Sequence, residues 1–438
     1  MTQPPEVSTW PPPPPDLSIP TRARFGRRRF LVGAGAVGLA GLASAAAVER
    51  WSAFGGSAAG ASTGLGASGG VLVLVALYGG NDGLNTVVPY TDSAYHAGRP
   101  NLGYQPNQVI PLADGLGLNP QLKGMKALWD AKSLAVVRGV GYPNPSLSHF
   151  QSMDIWQTAN LDANGSGWLG RWLDATGSDP LRAIGIGSTL PPALRGEKTA
   201  ATAITAATIT LPGQASLQTA YSSLAAPGPD RVGLASAVAG SGANLLSAQR
   251  YLARLSSATP ADAAKGGGTG EAAGKGKTHS QLGDQLGTVA SLITAGAPTR
   301  VYLVSLASFD THADEKANQE RLLGELDQAV SSFLASMKGT PRGKDVVLMT
   351  FSEFGRRVAE NASGGTDHGT ASPLFVAGEA VKGGRFYGEQ PSLTDLDTNG
   401  DLKYNVDFRS VYATMLDRVV GVDPKSFLDA SFPILALI

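Results

Sequence analysis

The 438-residue chain contains no cysteine. That excludes a disulfide framework, thiolate metal ligands and a lipid anchor through cysteine. Stability must come from a core, and a hydrophobic fraction of 42% is enough for a sizeable one at this length. An excess of charge of either sign is also lacking. Lys+Arg and Asp+Glu number 35 each, for a formal net charge of zero. With no basic stripe, nucleic acid is not an expected partner. Histidine is scarce, with five in all, so the place of each one carries weight. A strongly apolar span is missing too. The uncharged stretch from Val32 to Val48 is short for a membrane and rich in Ala and Gly, which gain little in lipid.

That stretch has a different reading. Met1 to Leu17 is proline-rich, with a solid run from Pro11 to Pro15 that resists helix. Arg22, Arg24, Arg27, Arg28 and Arg29 follow, and small residues crowd Ala43 to Ala47 after the apolar stretch. A basic region, an apolar region and a small-residue exit make a secretory signal. Arg27-Arg28, one residue before Phe30-Leu31, matches the twin-arginine pattern, which is read by a receptor. Residues 1–50 are therefore expected to be a leader and signal that engage the twin-arginine translocation machinery. The product would be exported to the periplasm, cell envelope or extracellular space, with no stable membrane span once the signal is removed. A retained anchor is the alternative. Residues 51–70 read as a Gly/Ala/Ser linker, and 71–438 as one α/β domain. A Gly/Lys-rich insert near 256–280 can bury little.

Within the domain, Val71 to Leu77 is a continuous apolar run, suited to a strand buried on both faces of a parallel sheet. Further strands are expected at Leu134 to Val140, Arg300 to Leu306, Val346 to Phe351 and Ser372 to Ala377. Ser148 stands where a helix would be capped, before His149 to Gln157. Leu322, Leu326, Val330, Phe333 and Met337 recur at helical spacing. Strand and helix in alternation predict a largely parallel central sheet flanked by helices.

Ligands of such sheets bind beyond the carboxyl ends of the strands. The polar residues there are Asp82, Ser148 with His149, Asp310 with His312, Glu353, and Asp367 with His368. Three of the five histidines fall in this set. Asp82, Asp310, His312, Glu353, Asp367 and His368 are candidate ligands for a divalent metal ion. Ser148, His149 and Arg356 are candidate catalytic groups. Each has a plainer alternative. Asp82 can be a turn residue and Ser148 a cap, Asp310-Thr311-His312 can cap a helix, and Glu353 can pair with Arg356.

These residues lie in motifs that resemble the exported bacterial family catalogued as domain of unknown function 1501. The motifs include Tyr78-Gly79-Gly80-Asn81-Asp82-Gly83, Arg99-Pro100 and Ser148-His149-Phe150. Later ones are Phe309-Asp310-Thr311-His312, Phe351-Ser352-Glu353-Phe354-Gly355-Arg356-Arg357 and Gly365-Thr366-Asp367-His368-Gly369. The pattern is also distantly similar to the alkaline phosphatase and sulfatase superfamily. That resemblance implies an alkaline phosphatase-like fold, with Asp82 as first-strand ligand, Ser148 as the hydroxyl, and Asp310, His312 and His368 as later ligands. It implies a metal-dependent hydrolase of phosphate or sulfate esters. Ser148 or a metal-activated water would attack, and Arg356 would hold an anionic oxygen of the substrate. Ser352-Glu353 stands where the superfamily has a paired Asp-His. That departure keeps a second reading open, a non-catalytic envelope binding or assembly protein.

Overall fold

The structure is a computed structural model that describes residues 69–177, 179, 181–205, 215–226, 239, 246, 248–253 and 280–438. The expected signal, almost all of the linker, and the insert up to residue 279 lie outside the described residues.

Among the described residues, nine strands form the central sheet. In chain order they are β1 (Val71–Leu77), β2 (Leu134–Gly141), β3 (Ala183–Ile186), β4 (Thr202–Ile204) and β5 (Val301–Leu306). Then come β6 (Val346–Ser352), β7 (Ser372–Ala377), β8 (Arg385–Tyr387) and β9 (Val406–Asp407). Their spatial order is β8-β2-β7-β6-β1-β5-β3-β4, with β9 also paired to β2. All pairings are parallel except those of β7, which runs against both β2 and β6.

Strand β1 shows why the sheet has two covered faces. All seven of its residues are buried, and successive side chains point to opposite sides. Val71, Val73, Val75 and Leu77 join one core, with helices α1 (Lys123–Asp130), α4 (Gln281–Thr294) and α5 (Glu315–Met337). Leu72, Leu74 and Ala76 join the other, with α2 (His149–Thr158), α3 (Trp168–Thr176) and α6 (Phe408–Thr414). Each buried Val or Leu contributes roughly 1.5–3 kcal/mol, so the apolar run alone fixes β1 at the centre. Among the described residues, no helix is long and apolar enough to cross a membrane.

Two details place the site. Leu77 is level with Leu306 of β5 and Ser352 of β6, so three carboxyl ends open onto one edge. Because β7 runs the other way, its amino end lies at that same edge. The chain therefore leaves β6, makes a hairpin of Arg356–Glu360 against Thr366–His368, and re-enters the sheet through β7.

Candidate metal centre

The edge collects side chains from four segments. Helix α2 begins at His149, held by its own packing. Trp156 stacks 4.4 Å from Phe408 and 5.8 Å from Phe351, and the Ser152 hydroxyl donates to the Glu353 carbonyl at 2.6 Å. Beyond β5 come Asp310 and His312, beyond β6 comes Glu353, and the hairpin delivers Asp367 and His368.

His149, Asp310 and His368 each offer a ligand atom within 4.8 Å of the others. His149 Nε2 lies 3.4 Å from Asp310 Oδ2, and His368 Nε2 lies 3.4 Å from Asp310 Oδ1. His312 adjoins this triad on one side. Its Nε2 is 3.1 Å from Asp310 Oδ1 and 2.9 Å from His368 Nε2.

The opposite nitrogen of each ring is anchored. His149 Nδ1 meets Glu353 Oε1 at 2.9 Å, His368 Nδ1 meets the Leu147 carbonyl at 2.7 Å, and His312 Nδ1 meets Asp367 Oδ1 at 3.3 Å. Each partner is an acceptor, so a neutral ring that donates from Nδ1 leaves its Nε2 bare. All three Nε2 atoms then carry lone pairs toward the Asp310 carboxylate. Lone pairs of His312 and His368 at 2.9 Å repel unless a cation or a proton lies between them. Ring nitrogens backed by carboxylates or a carbonyl are the usual support of metal-ligating histidines. Imidazoles with one carboxylate suit zinc or another first-row divalent ion.

Electrostatics favour the ligating forms. Burial raises the Asp310 carboxyl, but the hydrogen bond and charge of Arg356 reverse this and hold it down at about 2. Burial keeps the His368 ring below its usual value, hence neutral at neutral pH. A hydrogen bond from Asn361, with help from His312, holds Asp367 low. The backbone is strained beside Asp310, where Ser308 has φ +82° without being glycine.

A family model for a protein of unknown function, DUF1501, matches residues 129–431. The chain belongs to that family. No curated protein matches this DUF1501 member. Among solved structures, Ps i-CgsB is similar over 83% of this chain and 75% of that one, at 11% identity and a TM-score of 0.38. The phosphonate monoester hydrolase SpPMH from Silicibacter pomeroyi is similar over 83% and 77%, at 11% identity and a TM-score of 0.30. BT1596, a 2-O GAG sulfatase, is similar over 72% and 65%, at 10% identity and a TM-score of 0.28. Likeness at this level carries nothing about the reaction.

In this DUF1501 protein the expected residues separate into distinct places. Asp310 and His368, both candidate ligands, come together, and His312 adjoins them. His149, expected as a catalytic group, lies with Asp310 and His368 in a group that could hold a metal ion. Glu353 is buried and faces His149 Nδ1, the Gly79 amide at 2.8 Å and the Ser352 hydroxyl at 3.1 Å. It orients a ring and is not itself in the triad. Asp367 does the same for His312.

Asp82 corrects the expectation of a first-strand ligand. It is fully buried, and Arg99 takes both its oxygens, at 2.5 and 3.0 Å. It also caps the short helix Gly83–Thr86 through the Leu84 amide. Burial raises its carboxyl, and the Arg99 charge and hydrogen bonds outweigh that, so the net displacement is downward.

Arg356 corrects the expectation of a substrate anchor. It is 1% exposed, and its guanidinium donates to the carbonyls of Gly80, Thr366, Gly79 and Phe309 and to Asp310 Oδ1. Nε, Nη1 and Nη2 all donate within the protein, and the side chain is sealed from solvent, so it does not face an incoming anion. The two glycines explain the close approach. A Cβ on Gly79 would sit 2.4 Å from the Asp310 amide, and one on Gly80 would sit 2.4 Å from the Phe354 ring. Both have positive φ, which glycine adopts without strain.

Ser148 occupies the N-cap position of α2, but its side chain makes no capping bond, and the residue is exposed. Sequence reasoning passed over Arg99 and Glu315 as site residues. Arg99 donates to the Val358 carbonyl at 2.9 Å and the Arg357 carbonyl at 2.7 Å as well as to Asp82. It thereby clamps the first hairpin strand from below. An arginine so far along the chain from its hairpin partners carries no local signal.

Proposed function

We propose that this DUF1501 protein is an exported, metal-dependent hydrolase of phosphate or sulfate esters. The observation that carries the reading is the convergence of three Nε2 atoms on one carboxylate, each ring anchored through Nδ1. His149, Asp310 and His368 would hold the ion, with His312 beside them. A divalent ion there would supply Lewis acidity toward an ester oxygen. Glu353 and Asp367 keep the rings in the ligating tautomer. Arg356 keeps Asp310 ionised and in place.

Since Arg356 is sealed from solvent, charge on the ester would be met by the ion. Ser148 is the candidate nucleophile by position, at the start of a helix whose dipole favours an alkoxide by about 1 kcal/mol at most. Phe150, one residue after His149, is 88% exposed and offers a ring to the organic part of an ester. Export rests on the twin-arginine pattern at Arg27-Arg28, and the translocation machinery is the partner it implies.

The test is elemental analysis of the protein purified without chelator or affinity metal, followed by turnover of aryl phosphate and sulfate esters. Stoichiometric metal that is lost in His149→Ala and His368→Ala, together with turnover, is the expected result. A well-folded protein that takes up no added zinc or manganese refutes the metal reading.

One observation favours a second reading, a non-catalytic envelope binding or assembly protein. Ser148 makes no capping bond through its side chain, and Arg356 is sealed from solvent. Bound metal with no turnover of either ester class would select that reading.

A further inference from the structure

We propose that Glu315 is a positioning residue for the metal group, acting through Thr366 on the hairpin strand that delivers Asp367 and His368. The proposal rests on the metal-centre reading above. Glu315 is the first residue of α5, is fully buried, and lies three residues after His312. Its Oε2 accepts the Thr366 hydroxyl at 2.5 Å. Its backbone amide donates to the Gly364 carbonyl at 3.0 Å, so the helix start grips the hairpin at two points.

Thr366 is itself fixed on every side. Its carbonyl accepts from Arg356 at 2.8 Å, its amide donates to the Thr311 carbonyl at 3.3 Å, and its side chain is sealed from solvent. Asp367 and His368 are the next two residues, with no flexible spacer between them and this anchor. The anchor therefore sets where the His368 ring meets Asp310.

A purely space-filling role does not account for a carboxyl here. Burial pushes the Glu315 carboxyl up to about 9, and the neighbouring Asp82 charge adds to the effect while Arg99 opposes it. The group is thus a neutral acid at neutral pH, kept beside a buried carboxylate at a cost. A Val or Leu would avoid that cost but would release Thr366. Glu315 Oε2 accepts from Thr366, and as a neutral acid Glu315 also hydrogen-bonds to the buried Asp82 carboxylate.

The experiment compares Glu315→Ala, Glu315→Gln and Thr366→Val with the wild type in the full chain. Zinc affinity is read by competition with a chromophoric chelator. Amide hydrogen exchange across 356–368 is read in the metal-free protein. Glu315→Ala and Thr366→Val should weaken zinc binding by about 10–100-fold, the usual effect of losing support behind a ligand. Both should speed exchange in the hairpin more than elsewhere. Glu315→Gln, which keeps a neutral acceptor, should match the wild type in both readouts.

A folded Glu315→Ala protein with unchanged affinity and unchanged exchange overturns the proposal. So does a Glu315→Gln protein as impaired as Glu315→Ala. If Glu315→Ala does not fold, Thr366→Val decides on the same terms. If the wild type takes up no zinc, the metal reading fails, and exchange alone decides whether Glu315 fixes the hairpin.

Discussion

Glu315→Gln should stabilise the protein, and more so as pH rises from 5 to 9. The carboxyl is ordinarily half-ionised at 4.5 and here is pushed up to about 9. A group raised in the folded state contributes its full stability below 4.5 and loses it as pH climbs toward 9. In that window the unfolded chain releases the proton and the folded chain keeps it. At 1.36 kcal/mol per pH unit, keeping the proton at pH 7 costs about 3 kcal/mol, and at pH 5 less than about 1 kcal/mol. Glutamine has no proton to keep, and it preserves an acceptor for the Thr366 hydroxyl. The Asp82 carboxyl is held down, chiefly by Arg99, and shares a hydrogen bond and a charge interaction with Glu315, so the raised titration belongs to the pair. Urea unfolding of wild type and variant at pH 5, 7 and 9 gives the difference directly. A gap that is independent of pH, or a variant less stable at every pH, would show that Glu315 is not a retained neutral acid.

Other outcomes follow from the same contacts. Arg99→Met should destabilise the fold by about 3–5 kcal/mol, since it leaves the Asp82 charge buried without its partner; adding Asp82→Asn should recover part of the loss in the same unfolding assay. Ser308→Gly should raise stability by about 1 kcal/mol by relieving the positive φ, read as a higher Tm, and a lower Tm would mean the strain is absent. Zinc in excess should raise the wild-type Tm and leave the His149→Ala Tm unmoved, with a chelator reversing the gain. As pH falls from about 4 toward about 2, protonation of Asp310 should remove stability that its ionised form contributes at higher pH, and Asp310→Asn should flatten that part of the acid titration.

Much of the sheet was legible because its strands are unbroken apolar runs. Val71–Leu77 and Ser372–Ala377 have the bounds read from sequence, and those of the strands at 134, 301 and 346 differ by one residue. The three- and four-residue strands at 183, 202 and 385 and the two-residue strand at 406 were not, since so few residues show no period. The direction of β7 was also hidden. An apolar run reads the same in either direction, and only the short hairpin before it forces the reversal. At the site, the strand-end rule found the right loops and all four of the grouped residues, His149, Asp310, His312 and His368, with His149 read as a catalytic group and the other three as ligands. It misplaced Asp82 because the partner that occupies it, Arg99, lies 17 residues away and is brought back by the fold. It misread Arg356 because a guanidinium surrounded by carbonyls looks, in sequence, like any free arginine.

The reversal at β7 has one more consequence. His149 and Glu353 are 204 residues apart, and Asp310 and His368 are 58 apart. No short stretch of this chain holds more than two of the grouped residues. The group comes together only when the hairpin has folded back and β7 has been inserted between β2 and β6. An ion taken up there would bind the folded chain far better than the unfolded one, so its affinity would be counted in full toward folding. Metal content would then serve as a readout of completed topology: a chain that has both halves of the sheet but has not joined them through β7 would leave the ion in solution.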